Sequence, residues 1–382
     1  MTSWIYRTVA VAAVGVVACS GRGPAGREVA PTVSAFDYWV YVANESSDKV
    51  SRVRFGPQGA AEEQTVNVGI MPADLDGAHG LTVSPGGDHW YVSIAHGQPY
   101  GQVWKFDAAT NEFLDSATVG LFPASMALTP DGSTLFVVNF NLHGDPVPSS
   151  VSAVFTPFMS EIKKITTCVM PHGSRINRAG TLHYSACMMG DQLVEISTEG
   201  LVVTRRLSLT RDQEQLLGDD SADRLVMGEA ACKPTWVTMS PDDEHLYVPC
   251  NGRAEVLEID ASSLAVTRRF PTGTAPYNAD VSADGRYLVV TLKGAQSVAV
   301  IDLRDGSETQ IATTQPITHG VVISPDSRYA FISNESIGAT RGTIDVIDVV
   351  DKTRVGTAIV QHQPGGIGFW KMTPAESPHP TD

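Results

Sequence analysis

The chain has 382 residues, 42% of them hydrophobic and 18% charged, a balance that supports one large globular domain with a sizeable core. Its net charge of −15 comes without any Lys/Arg run of the kind that tracks phosphates, which argues against nucleic acid and anionic headgroups as partners. No Gly-x-Ser-x-Gly elbow, no phosphate-cradling Gly-x-x-x-x-Gly-Lys and no His-Glu-x-x-His occurs, so three common catalytic or nucleotide-binding chemistries have no motif here.

In chain order, Arg7 precedes an apolar stretch from Val9 to Ala18. About ten residues are too few to span a bilayer and match the core of a secretory signal. The stretch ends in Val16-Val17-Ala18-Cys19, which resembles a bacterial lipobox, with residues 1–18 removed and Cys19 lipidated as the new N-terminus. An ordinary signal peptide followed by an incidental cysteine is the alternative. Residues 19–36, rich in Gly, Pro and Ala, read as a flexible tether. The expectation is an exported protein, periplasmic or at the cell surface, held to the membrane by its N-terminal lipid.

From residue 37 to residue 372 one pattern repeats, with a period of roughly 42 to 48 residues built from short alternating strands and Ser-Pro-Asp/Gly turns. Ser84, Thr129, Asn177, Ser240, Ser282 and Ser324 hold one aligned position in the turn between the first two strands. The first copy, from Tyr38, lacks its opening strand, and the last, from Pro364, has little else. Pairing them closes a ring and removes the two exposed sheet edges. The expected fold is all-β, a seven-bladed β-propeller of four-stranded antiparallel blades, with residues 373–382 as a disordered tail.

The second strands carry Tyr41-Val-Ala-Asn44 and Phe331-Ile-Ser-Asn334, and in this they resemble the YVTN family of seven-bladed propellers. The resemblance implies the fold and says little of activity. The motif's last position holds Asn44, Asn139 and Asn334 in three repeats but Ile94, Cys187, Cys250 and Leu292 in the others.

Besides Cys19 there are Cys168, Cys187, Cys232 and Cys250. Antiparallel pairing puts residue 172 opposite about 187 and residue 235 opposite about 250, so Cys168–Cys187 and Cys232–Cys250 are the natural disulfides of an exported chain. Thiolate ligation of a soft metal is the other possibility, while a c-type haem is excluded because no Cys-x-x-Cys-His occurs.

His79, His172 and His319 share one register, five residues before the aligned turn position, where the other repeats carry Ala124, Thr235, Tyr277 and Gly365. That register opens the innermost strand at the mouth of the central channel. His96 and His143 fall in loops at the same end and His362 just before the last inner strand, while His89, His183 and His245 follow the turns and read as surface or edge residues of the opposite end. Converging imidazoles suit copper or zinc; neutral rings that hydrogen-bond the backbone are the plainer reading.

Residues 209–231 lengthen the interval between the aligned positions 177 and 240, and read as a polar surface loop, with a short helix or a lid over the channel as the alternative. The recurring Asp107, Asp260, Asp302 and Asp348 sit where turns need an Asx side chain.

Two functions follow. The first is a non-catalytic binding or scaffold protein whose His/Cys-rich face takes a protein, peptide or envelope polymer. The second is a copper or zinc protein, an oxidoreductase or metal chaperone, with the metal at His79, His96, His143, His172 and His319.

Overall fold

The computed structural model describes residues 34–70, 74–97 and 99–375. The signal segment 1–18, Cys19, the tether as far as residue 33 and the tail from residue 376 lie outside the described residues, while Phe36 and residues 373–374, expected in tether and tail, are strand, with Phe36 opposite Pro374 and Asp37 opposite Thr373. No helix among the described residues is long and apolar enough to cross a membrane.

Seven four-stranded antiparallel sheets stand around one axis. Their inner strands, blade by blade, are Pro364–Pro374, Ala78–Val83, Pro123–Leu128, Pro171–Ile176, Thr238–Met239, Pro276–Val281 and Thr318–Ile323. Blade 1 is composite: Pro364–Pro374 pairs with Phe36–Asn44, which pairs in turn with Lys49–Gly56. Side chains fasten this seam on both sides. Tyr38 donates its hydroxyl to Asp326 of blade 7 at 2.7 Å, and the Trp370 indole donates to the Gly87 carbonyl of blade 2 at 2.9 Å.

Period-two alternation along the strands gives each blade apolar side chains on both faces, so the core is a set of layers between neighbouring blades. Tyr41, Trp90, Val92 and Phe106 fill one such layer between blades 1 and 2, and Tyr184, Leu193, Val248 and Leu257 another between blades 4 and 5. A blade removed from the ring would expose two such faces, so no blade is stable alone.

The aligned turn position does one job throughout. Ser84, Thr129, Ser240, Ser282 and Ser324 each accept, through the hydroxyl, the amide five residues on, and Asn177 does the same with its side-chain oxygen. The turn's fourth residue takes positive φ, as Gly in four blades and as Asp243 and Ser327 in the others. These two requirements explain why Asn-Arg-Ala-Gly can stand where Ser-Pro-x-Gly stands elsewhere.

Residues 209–231 form no helix beyond the single turn Asp219–Ser221. They lie over the outer strands of blade 4, where Arg224 bonds the Thr210 hydroxyl and the Gln192 amide donates to the Ser221 carbonyl. None of these residues lines the axial cavity, so the expectation of a surface loop is met and that of a lid is not.

Candidate functional site

Each inner strand starts at the same end of the axis, and the register position there reads, around the ring, Gly365, His79, Ala124, His172, Thr235, Tyr277, His319. Three histidines and one tyrosine therefore face one another across small neighbours. His79 meets His172 across Ala124 with ring centroids 6.3 Å apart, and His319 across Gly365 at 5.7 Å. Tyr277 completes the circuit, 5.4 Å from His172 and 4.8 Å from His319. The result is a closed collar of four rings around the channel mouth.

Each ring is held from behind. His79 donates Nδ1–H to the Glu45 carboxylate at 2.8 Å, and Glu45's other oxygen meets His96 Nε2 at 2.9 Å. His172 bonds the Thr235 carbonyl through Nδ1 at 2.8 Å and receives the Tyr277 hydroxyl at Nε2 at 3.0 Å. His319 Nε2 stands 3.7 Å from Glu335, which is paired with the Lys293 ammonium at 2.8 Å, and its Nδ1 is buried with no partner in the protein.

This packing sets the charges. Burial, with His79 alongside, pushes His172 down to about 3, and burial near Lys293 pushes His319 well below the ordinary imidazole value. Both are neutral rings at physiological pH. Burial alone would raise the Glu45 carboxyl, but His79 and His96 outweigh it and hold Glu45 well below the usual carboxylate range. The bond from Glu45 lifts His96 in return, against its own partial burial. Burial pushes the Tyr277 phenol up to about 12.

Below the collar a cavity of about 220 Å³ follows the axis, lined by the three histidines together with Ser125, Trp236 and Asn278. The Trp236 indole N–H and the Asn278 side-chain oxygen also lack partners in the protein. Three residues of the cavity lining, His319, Trp236 and Asn278, thus each keep one polar atom buried and without a partner in the protein. An unmet buried polar group costs about 1–3 kcal/mol, so three such atoms in residues around one cavity single this part of the fold out.

The sequence-predicted rim histidines divide. His79, His172 and His319 come together. His96 reaches the collar only through Glu45, and His143 lies farther out, with its ring 6.2 Å from His96 and 5.3 Å from Phe122. His362 bonds the Ala339 carbonyl. Of the five histidines expected as a metal set, three therefore stand together and two lie outside them. His183 is corrected: it is fully buried, stacked 5.1 Å from Phe136 between blades 3 and 4, and neither nitrogen has a partner.

The four remaining cysteines form the disulfides Cys168–Cys187 and Cys232–Cys250. The register is one residue off the expectation, with Pro171 opposite Cys187 and Pro234 opposite Cys250. Bound as disulfides, these sulfurs are not thiolate ligands. Glu45, Tyr277, Lys293 and Trp236 were missed by the sequence reading; Tyr277 alone had a signal there, its place in the histidine register.

Comparison with known proteins shows a shared fold. No family model matches the chain, and no curated protein matches it either. Among solved structures it is similar to a chain of the Kuenenia stuttgartiensis hydrazine synthase, at 22% identity over 72% of this chain and 78% of that one, with a TM-score of 0.57. It is similar to the periplasmic gluconolactonase of Pseudomonas aeruginosa, at 16% identity over 88% and 99%, TM-score 0.65. A Desulfotomaculum acetoxidans protein of unknown function gives 14% identity over 87% and 98%, TM-score 0.66. At such identities the likeness carries the propeller architecture and no activity.

Proposed function

We propose that this protein is an exported, lipid-anchored propeller that binds a small ligand at the ring-lined mouth of its channel and does no chemistry on it. The observation that carries the reading is the collar of His79, His172, Tyr277 and His319 above a cavity of about 220 Å³, three of whose lining residues each hold a buried polar atom without a protein partner. An opening this narrow suits an ion or small molecule rather than the protein, peptide or polymer that the sequence alone suggested. Two disulfides fit an oxidising compartment outside the cytoplasm, in keeping with the signal segment.

The carboxylates at the mouth are engaged, Glu45 by two imidazoles and Glu335 by Lys293, so any acid–base chemistry there would fall to an imidazole, which the His79→Ala comparison below tests.

Native mass spectrometry of the protein purified from a bacterial envelope tests the reading. Wild type is expected to carry a small adduct that Val322→Phe, which fills the cavity from the inner strand of blade 7, does not. Masses that match the bare sequences for both proteins would count against a ligand seat. Hydrolysis of gluconolactone by wild type, abolished by His79→Ala, would overturn the non-catalytic part.

A further inference from the structure

This inference rests on reading the mouth as a ligand seat, and it names the ligand. We propose that His79, His172 and His319 form a binding site for a single copper or zinc ion on the channel axis, with its remaining coordination position open to the cavity below.

The donor set fits. Three imidazoles are a ligand set that copper and zinc share, and a fourth position left open is typical of sites that also bind a small molecule. The rings are also prepared for it. Imidazoles that bind metals usually give their other ring nitrogen to a carboxylate or a backbone carbonyl, which fixes the tautomer and the ring's direction. Glu45 does this for His79 and the Thr235 carbonyl for His172, each through Nδ1, leaving Nε2 as the lone-pair nitrogen. On His319 the free nitrogen is Nδ1, on a residue only 4% exposed and with no partner in the protein.

Collar width sets what binding must do. As the side chains stand, no three His, Cys, Asp or Glu groups among the described residues meet a metal's distances. Two imidazoles sharing one ion at about 2.0–2.1 Å per nitrogen hold their ring centroids roughly 4.5 to 5.5 Å apart. The two centroid distances from His79 are 6.3 and 5.7 Å, and the Tyr277 ring stands against both His172 and His319, so uptake draws the three imidazoles inward and displaces the Tyr277 ring from between them. The residues between them, Ala124 and Gly365, are small enough to allow that movement. A Cβ on Gly365 would already stand 3.7 Å from His319 Cε1. His172 gives up the Tyr277 hydroxyl in exchange for the ion, and that hydroxyl turns to whatever fills the open position.

The site differs from the five-histidine set expected from sequence. His96 is engaged by Glu45 and acts through it, as a positioning residue behind His79. His143 takes no part.

Equilibrium dialysis with copper(II) chloride alone and zinc chloride alone, read by elemental analysis, tests the proposal on untagged protein from residue 20 onward. One equivalent of either ion is expected, copper more tightly than zinc. The His79→Ala, His172→Ala, His319→Ala variant should lose it. The same three positions changed to Phe keep ring packing in the collar, so that loss of metal is separated from loss of fold. Glu45→Gln should retain the stoichiometry and weaken affinity about 10- to 100-fold.

No stoichiometric uptake by wild type overturns the proposal, as does uptake that survives both triple variants. The adduct test with Val322→Phe is independent of metal. A retained organic adduct without metal uptake removes the ion and keeps the seat, whereas neither adduct nor metal removes both.

Discussion

Asn44, Asn139 and Asn334 close the second strands of their blades, and each donates its side-chain amide to hydroxyls or a carboxylate of the third strand: Ser51; Ser150 and Ser152; Thr343 and Asp345. Where Cys187 and Cys250 take that position, a disulfide ties the same strand end instead to Cys168, in the outermost strand of the preceding blade, or to Cys232, in the segment before the inner strand. Asn334→Ala should therefore cost roughly 1–3 kcal/mol in urea unfolding, because Asp345 and Thr343 lose a buried donor; an unchanged midpoint would contradict the clasp. His183 offers a pH test at the same scale. Burial pushes it down to about 3, so between the unfolded imidazole's value near 6.5 and that value only the unfolded chain takes up the proton. Its contribution is intact above about 6.5 and is lost as pH falls through about 3. His183→Phe should remove about 2 kcal/mol of the stability lost between pH 8 and pH 5, whatever it does to packing at pH 8. An unchanged pH slope would mean that His183 is protonated in the fold.

Within each blade, much was legible before the structure. The turn position was readable because one chemical task, accepting the amide five residues on, is performed by Ser, Thr or Asn, and the recurring Asp107, Asp260 and Asp348 accept turn amides as their spacing indicated. The disulfide partners followed from antiparallel pairing with a one-residue error, because bulges shift the register of the inner strands. What could not be read was which histidine faces inward between blades. His183 follows its turn as His89 and His245 do, and only the packing of Phe136 from the neighbouring blade buries it. Glu45 was equally hidden, since its loop after the second strand of blade 1 meets His79 only when blade 2 packs beside it. Replacing Cys232 and Cys250 by Ser opens a loop with a sequence separation of 18 and should cost about 3 kcal/mol in the chain-entropy account. Denaturant titration checks it, and a loss well under 1 kcal/mol would mean that the loop is held by its other contacts, among them Lys233 N–H on Asp191.

For the molecule as a whole, the ring depends on its composite blade. Ending the chain before Pro364 would leave the edge of Phe36–Asn44 unpaired and remove the Trp370 fastening of blade 1 to blade 2. The truncated protein should aggregate or fail to accumulate, and a monomeric product with native circular dichroism would refute closure as the stabilising device. At the other terminus, Cys19→Ala should move the protein from the membrane fraction to the soluble envelope fraction, while an unchanged distribution would dispose of the lipid anchor. The ring geometry was legible because seven copies of one pattern leave few alternatives. The collar was half legible: the shared register marked His79, His172 and His319, but closure by Tyr277 and support from Glu45 depend on which blades become neighbours around the axis.

The central claim is that the four-ring mouth holds a ligand. A crystal structure of the untagged protein purified from an envelope without chelators tests it most directly. The account predicts density on the axis bonded to His79, His172 and His319, absent from the triple histidine variant. Ordered water alone in the wild-type mouth and cavity would contradict it.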